Sequence, residues 1–287
     1  MKKLLLSIGA GLLIIGAILV GMKFWFKPDL VYKRNAKKAA KDLASASKVI
    51  EDEETSKIYT FEEASKIYKV DQSLLLVNQE HTIDADFPSD IVEYKDTGVL
   101  MNSCITEHYS DLSAAVSEKI GDKLYVMSSY RSYEDQQRVY EEEGAEIAAL
   151  PGTSEHQTGL ALDVYVSEFA GAGFIESDAG MFVNEHCYDY GFIIRYPYGG
   201  ESVTGFTYEP WHIRYVGLPH SKIIEESGCL FDNYADLFEI GKYYEYYGYE
   251  IARMPEDRIE IPNDAQDVLL SEDGLGYVFV TIKTAEK

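Results

Sequence analysis

The stretch Ser154-Glu155-His156-Gln157-Thr158-Gly159-Leu160-Ala161-Leu162-Asp163 decides how this chain is organised. It carries an imidazole and a carboxylate, His156 and Asp163, on either side of a glycine. Further along, Glu209-Pro210-Trp211-His212 adds a second imidazole and a second carboxylate. Two neutral imidazoles and one carboxylate are a common ligand set for a catalytic zinc ion that keeps one position open for water. A further carboxylate beside that water is the proton acceptor that metal-assisted hydrolysis needs.

The residues from Gly159 onward predict a β-strand that is entered from a turn. The sequence Gly-Leu-Ala-Leu-Asp-Val-Tyr-Val has few helix signals and ends in β-branched and aromatic residues. Side chains alternate along a strand, so Ala161 and Asp163 would face one side while the leucines face the core. His156 would lie on the preceding loop, within reach of the same side. A second strand is expected from His212 onward, with a proline just before it.

The similarity to a known family extends well beyond these potential ligands. The matching segments follow the family's order: Ser128-Ser129-Tyr130-Arg131-Ser132-Tyr133, Gln136, Pro151 to His156, Tyr190-Gly191-Phe192, Arg195-Tyr196-Pro197, Thr204-Gly205 and Glu209 to Gly217. With Ser-x-His-x-x-Gly-x-Ala-x-Asp, they resemble the VanY-type zinc D-alanyl-D-alanine carboxypeptidases, which are related to the VanX dipeptidases and the LAS peptidases. The resemblance covers roughly residues 70 to 240. Both it and the alternation of strands and helices predict an α+β fold, a small antiparallel sheet with flanking helices, as in LAS and hedgehog-like zinc peptidases.

The resemblance also implies roles for individual residues. His156, Asp163 and His212 match the zinc ligands, and Glu209 matches the general base. Arg131 matches an arginine that is implicated in substrate binding and in stabilisation of the transition state. This arginine is expected between a strand and a helix, a place where functional side chains often lie.

Further residues around the metal set also have expected roles. Ser154 and Gln136 match positions near the substrate, so we predict that they bind it. Glu155, beside a ligand, is expected to be exposed to solvent or to lie just outside the ligand set. Two family residues differ here: a helical tryptophan is Phe182 and an asparagine is His186. Neither difference touches the metal set, so they affect the expected substrate contacts and not hydrolysis.

These features predict a zinc-dependent carboxypeptidase that removes the terminal D-alanine from peptidoglycan stem peptides. An L,D-carboxypeptidase acting on tetrapeptide stems stays open as an alternative, because the same metal motif serves both activities. A non-catalytic module that binds the cell wall is the alternative from a different class. The complete ligand set, together with Glu209 and Arg131, argues against that module.

The charge of the chain argues against nucleic acid as a partner. The formal net charge is −23, and residues 1 to 48 hold ten Lys and Arg against two Asp and Glu. The rest of the chain is therefore strongly acidic, and an acidic surface would repel phosphates. The basic N-terminal stretch instead suggests contact with anionic lipid headgroups.

Three cysteines are too few for a disulfide framework, so we expect buried free thiols or at most one disulfide.

An apolar run over residues 4–22 predicts a transmembrane signal anchor within residues 1–27. At ~1.5 Å per residue the run spans roughly 28 Å, close to the ~30 Å hydrocarbon core. The aromatic residues 24–26 suit the membrane interface, and a cleaved signal peptide is the alternative. The positive charge after the run favours a cytoplasmic C-terminal side. The resemblance instead implies a single-pass protein of the bacterial cell membrane with an extracellular catalytic domain, and we follow it.

The remainder of the chain is predicted to form three parts. Residues 28–70 are expected to be a stalk or linker, because they combine a helical stretch with an acidic run at 51–54. Residues 71–241 are the expected zinc peptidase domain. Residues 242–287 are expected to form a small β-rich C-terminal extension, since they are rich in tyrosine and β-branched residues.

Overall fold

The computed structural model describes residues 28–48, 55–144 and 148–284. The α-helices are α1 Pro28–Ala46, α2 Phe61–Ala64, α3 Thr106–Lys119, α4 Tyr133–Glu143, α5 Asp178–His186, α6 Glu201–Thr204 and α7 His220–Ser227. The strands are β1 Ser47–Lys48, β2 Ser56–Tyr59, β3 Lys69–Asp71, β4 Ile91–Glu93, β5 Leu100–Asn102, β6 Tyr125–Ser128, β7 Ala161–Tyr165, β8 Phe192–Ile194, β9 His212–Tyr215, β10 Tyr243–Tyr246, β11 Tyr249–Pro255, β12 Ile259–Pro262, β13 Val268–Glu272 and β14 Tyr277–Lys283. Short, mainly antiparallel sheets with separate helices confirm the α+β prediction.

A four-stranded antiparallel sheet with the order β6-β7-β9-β8 forms the centre of the predicted peptidase domain. Leu160, Leu162 and Val164 of the β7 region are fully buried in a core that includes residues of α3 and α5. Alternation along β7 therefore directs Ala161 and Asp163 away from these leucines, as predicted. The two middle strands, β7 and β9, carry two of the potential metal ligands, Asp163 and His212.

A six-stranded sheet joins the two ends of the described chain, in the order β1-β10-β11-β14-β13-β3. Its outer strands β1 and β3 begin in the predicted linker, and β2 from the same region pairs with β12. Helix α1 packs through Ala39 and Leu43 on a core that contains Ile223 and Ile224 of α7. This differs from the expected stalk over residues 28–70. The physical reason is that α1 has an apolar face to bury and the C-terminal strands have backbone edges to pair.

Two expectations concern the membrane and the thiols. The predicted transmembrane segment lies outside the described residues, and none of the helices in the described ranges is long and apolar enough to cross a membrane. Cys187 and Cys229 are buried, Cys104 is half-buried, and all three are free thiols in the described structure.

Candidate metal centre

A tight turn places His156 above the strand that carries Asp163. His156 lies in a 3₁₀ turn, Glu155–Thr158, which ends at Gly159 with a φ of +70°. The chain then enters β7, and the Nε2 atom of His156 lies 3.5 Å from Oδ2 of Asp163. A Cβ atom on Gly159 would come within 2.7 Å of the backbone nitrogen of Asn102. Glycine is therefore needed at this position for two reasons, its backbone conformation and the close approach of a neighbouring chain segment.

The third potential ligand comes from the neighbouring strand. His212 begins β9 and lies directly opposite Asp163 in the antiparallel register. Its Nδ1 atom is 3.1 Å from Oδ1 of Asp163. One ligand atom each from His156, Asp163 and His212 can be chosen so that all lie within 4.8 Å of one another. The structure thus brings together the three residues that the sequence proposed as metal ligands.

Buried polar atoms at this cluster point to a cation. Oδ1 of Asp163 has no hydrogen-bond partner among the described residues, although Nδ1 of His212 is close to it. A buried carboxylate oxygen without a partner is costly, and a shared cation would satisfy it together with the imidazole nitrogen. The Nδ1 atom of His156 lies at hydrogen-bond distance, 2.9 Å, from the carbonyl oxygen of Ser129. Because a carbonyl can only accept, the proton lies on Nδ1 and the Nε2 lone pair is free for a metal.

The electrostatics of the cluster lead to the same conclusion. Burial alone would raise the pKa of Asp163, but His156 and His212 outweigh it and hold that pKa well below its usual range. Burial alone would lower the pKa of His212, but the carboxylates of Asp163, Glu155 and Glu209 raise it to about 10. These carboxylates therefore favour positive charge at this point, which a bound dication would supply. Two imidazoles and one carboxylate fit Zn²⁺ in particular.

Glu209 lies beside the potential ligands. Its Oε2 atom is 3.6 Å from Nδ1 of His212, and its side chain is 20% exposed, so solvent can reach it. Burial raises the pKa of this carboxyl group. The backbone N–H of Glu209 donates to the carbonyl oxygen of Tyr196, which fixes the segment before β9. The location suits a proton acceptor next to the metal position.

The cluster opens into a cavity of about 410 Å³. Residues that line it include Ser128, Arg131, Gln136, Ser154, His156, Asp163, Tyr196, Phe206, Glu209, Trp211 and His212. All seven residues predicted for the site therefore line one cavity. Arg131 is held by two hydrogen bonds of 2.8 Å, from Nη1 to Oε1 of Gln136 and from Nη2 to Oγ of Ser128.

Ser154 and Gln136 differ in how free they are to contact a ligand. Ser154 is buried at the cavity wall and its side chain caps no helix. Gln136 accepts from Arg131 and donates from Nε2 to the carbonyl oxygen of Ala149 at 2.7 Å. Both ends of the Gln136 amide are thus occupied, and its observed contacts position Arg131. Substrate binding by either residue stays a prediction.

Glu155 is the residue that the sequence reasoning described least well. The exposed location considered for it is wrong, since its side chain is fully buried and contacts Arg195 and Arg214. The alternative location, just outside the ligand set, agrees with its Oε2 atom lying 3.7 Å from Nε2 of His212. Both arginines belong to segments that match the family, but nothing in their local sequence pairs them with Glu155. The only available signal was its position directly before His156.

A buried set of two imidazoles and a carboxylate, with a further carboxylate beside it and a cleft above it, defines a metal-dependent hydrolase. Comparisons with known proteins give the particular family. The family model named VanY, D-alanyl-D-alanine carboxypeptidase, matches residues 98–218. A D-alanyl-D-alanine carboxypeptidase of Enterococcus faecium is 31% identical over 232 residues, which are 73% of this chain and 75% of that protein. The chain belongs to the VanY family of D-alanyl-D-alanine carboxypeptidases.

Solved structures show the same relationship. The D,D-dipeptidase VanXYg, in complex with a phosphinate analogue of D-Ala-D-Ala, has a TM-score of 0.63 at 28% identity and covers 79% of this chain and 98% of its own. A VanY variant from a VanB-type resistance cassette, in complex with Zn(II), has a TM-score of 0.51 at 31% identity, covering 57% of this chain and 98% of its own. The structure of the LD-carboxypeptidase LdcB has a TM-score of 0.53 at 30% identity and covers 60% of this chain and 91% of its own.

Proposed function

We propose that this protein is a zinc-dependent D-alanyl-D-alanine carboxypeptidase that removes the terminal D-alanine from peptidoglycan stem peptides. The observation that carries the proposal is the convergence of His156, Asp163 and His212 beside Glu209 in one cavity. The substrate class follows from the family to which the chain belongs and from relatives that bind Zn(II) or a D-Ala-D-Ala analogue.

The residues around the cavity divide the chemistry among them. His156, Asp163 and His212 would hold the zinc ion, which when bound supplies Lewis acidity toward a carbonyl group and toward water. The Glu209 carboxylate accepts the proton of the attacking water and passes it to the leaving amine of D-alanine. Its position next to His212 and its partial exposure allow it to reach both groups from one side of the cavity.

Arg131 supplies positive charge at the wall of the same cavity. A guanidinium has five N–H donors, and the bonds to Gln136 and Ser128 use two of them. The remaining donors can bind the terminal carboxylate of the substrate or the oxyanion that develops during attack. Because Arg131 is fixed before the substrate arrives, this stabilisation requires little reorganisation.

The test replaces Glu209 with glutamine, which keeps the size of the side chain and removes its basicity. We expect kcat on a D-Ala-D-Ala pentapeptide to fall by about 10²–10⁴-fold, while the protein still binds zinc. The substitution Glu185→Gln, at an exposed position on α5, is the matched control and should leave turnover unchanged. Normal turnover in the Glu209→Gln protein would contradict the proposed mechanism. Absence of turnover by zinc-loaded wild type on both pentapeptide and tetrapeptide stems would favour a non-catalytic wall-binding module.

The similarity to LdcB keeps L,D-carboxypeptidase activity as the second candidate. Both candidates use the same metal ligands and the same base, so only the substrate separates them. Purified protein would be given pentapeptide and tetrapeptide stems in parallel, with products identified by mass. Loss of alanine from the pentapeptide supports D,D activity, and loss from the tetrapeptide alone supports L,D activity.

We also propose that residues 4–22 anchor the protein in the bacterial cell membrane and that the catalytic domain is extracellular. The apolar run, its length and the aromatic residues that follow it support this proposal. The substrate supports the orientation, because cross-linked peptidoglycan lies outside the membrane. Protease treatment of intact cells should degrade the catalytic domain, and protection of that domain would contradict the orientation.

A further inference from the structure

We propose that Glu155 is a positioning residue that orients the ring of His212 so that its Nδ1 atom faces the metal position. This inference deepens the proposed zinc peptidase function and rests on it. Oε2 of Glu155 lies 3.7 Å from Nε2 of His212, and both atoms are buried without a hydrogen-bond partner among the described residues. On the opposite side of the ring, Nδ1 is 3.1 Å from Asp163. The ring of His212 thus lies between the potential ligand Asp163 and the carboxylate of Glu155.

Two arginines hold the Glu155 carboxylate in this orientation. Its Oε1 atom accepts from Nε of Arg195 at 2.8 Å and from Nη1 of Arg214 at 2.9 Å. Arg195 is itself fixed by Asp232, to which Nη1 and Nη2 donate at 2.6 and 3.1 Å. Arg214 donates from Nη2 to the carbonyl oxygens of Ser73 and Leu75. Because charge-assisted bonds fix both guanidinium planes, Oε2 stays directed toward His212.

This arrangement selects one tautomer of His212. A carboxylate only accepts hydrogen bonds, so a proton between Glu155 and His212 belongs to Nε2, and the lone pair then lies on Nδ1. The observed separation exceeds a normal N–H···O distance, and a ring movement of roughly 0.5–1 Å closes it. In His156, the carbonyl oxygen of Ser129 accepts the proton of Nδ1, which leaves the lone pair on Nε2. The two histidines would therefore offer different nitrogens to the metal, each chosen by the acceptor on its far side.

A purely structural role for Glu155 makes a different prediction. In that case Glu155 only balances the charge of the buried arginines, and Asp232 does the same from the other side of Arg195. Asp232 does not contact His212 in any described ion pair or hydrogen bond. The substitution Asp232→Asn is therefore a matched control. It removes one carboxylate charge from the same cluster and does not touch the His212 ring, while the amide oxygen of asparagine can still accept from Arg195 and Arg214 still holds Glu155.

The first experiment measures zinc affinity of the full-length protein by competition with a chromophoric chelator. We expect Glu155→Gln to weaken zinc binding by about 10–100-fold, Glu155→Asp to give an intermediate loss, and Asp232→Asn to stay within about threefold. Equal zinc affinities for Glu155→Gln and wild type, or equal losses for Glu155→Gln and Asp232→Asn, would overturn the inference. A wild-type protein that binds no zinc would instead overturn the proposed function.

A second measurement does not depend on whether the variants fold. Nitrogen-15 NMR of histidine-labelled, zinc-loaded wild type reports which ring nitrogen carries the proton and which binds metal. We expect His212 to bind through Nδ1, with a slowly exchanging proton on Nε2, and His156 to show the opposite pattern. Binding of His212 through Nε2 would refute the role of Glu155, whatever the variants show.

Discussion

Replacing Gly159 with alanine tests how tightly the turn between His156 and Asp163 is enclosed. The left-handed φ of +70° costs a residue with a side chain roughly 1–2 kcal/mol. The added Cβ atom would also lie 2.5 Å from Cδ1 of Ile91 and 2.7 Å from the backbone nitrogen of Asn102. A backbone atom cannot give way as the end of a side chain can, so overpacking adds about 1–3 kcal/mol. We expect the free energy of unfolding to fall by about 2–5 kcal/mol.

The assay is urea denaturation in the presence of a chelator, so that zinc does not contribute to stability. Gly98→Ala is the matched control, because Gly98 has a similar φ of +78° but no atom of the described residues within 4 Å of an added Cβ. That variant should lose only the backbone term, roughly 1–2 kcal/mol. Equal losses for the two variants would refute the argument that Gly159 is enclosed by neighbouring backbone.

The same substitution should also weaken zinc binding. Relief of the contacts to a normal separation requires a displacement of about 1 Å, and Gly159 lies three residues after one ligand and four before the next. Metal sites tolerate ligand displacements of only about 0.5 Å. Zinc affinity should therefore fall in Gly159→Ala and stay unchanged in Gly98→Ala, as the chelator competition assay would measure.

Two further predictions concern zinc removal and pH. Removing zinc should lower the midpoint of thermal unfolding, because zinc at 1,000 times its Kd adds about 4 kcal/mol to the free energy of unfolding. A midpoint that does not depend on zinc would contradict a zinc site in the folded protein. Burial lowers the pKa of His220 to about 3. Below pH ~6.5 the unfolded state therefore binds one more proton than the folded state, and the free energy of unfolding decreases as the pH is lowered. His220→Gln should lose about 2 kcal/mol less than wild type between pH 7 and pH 5 in urea denaturation; equal losses would contradict this.

The central sheet and its ligand-bearing strands could be predicted because their signals are local. Alternation around Leu160 and Leu162 determined which side of β7 faces the core, and the structure agrees. His156 and Asp163 lie within one turn and one strand, so a short motif fixes their relative position. His212 is distant in sequence, and only the family pattern joined it to the other two. In the structure, the antiparallel register places His212 opposite Asp163, which explains why the two distant motifs form one site.

The remaining features depend on contacts that leave no local signal. The partners of Glu155 lie 40 and 59 residues away, so its burial cannot be read from neighbouring residues. The segment predicted as a linker contains strands of only two to four residues, β1 to β3, which are too short for periodicity to identify. Their pairing with β10, β12 and β13 is decided by the exposed edges of those later strands.

The buried charges beneath the metal site are better explained by positioning than by stability. Burying two arginines and two carboxylates costs desolvation energy that their mutual attraction only partly offsets, and apolar residues of equal volume would often be as stable. What the charges provide is direction, since each guanidinium is fixed by several acceptors. Arg214 extends this network to the segment Ser73–Leu75, and the N–H of Leu74 donates to Ser271 of β13. Hydrogen bonds therefore connect the C-terminal sheet to Glu155, the residue beside His212, although this sheet contributes none of the predicted ligands itself.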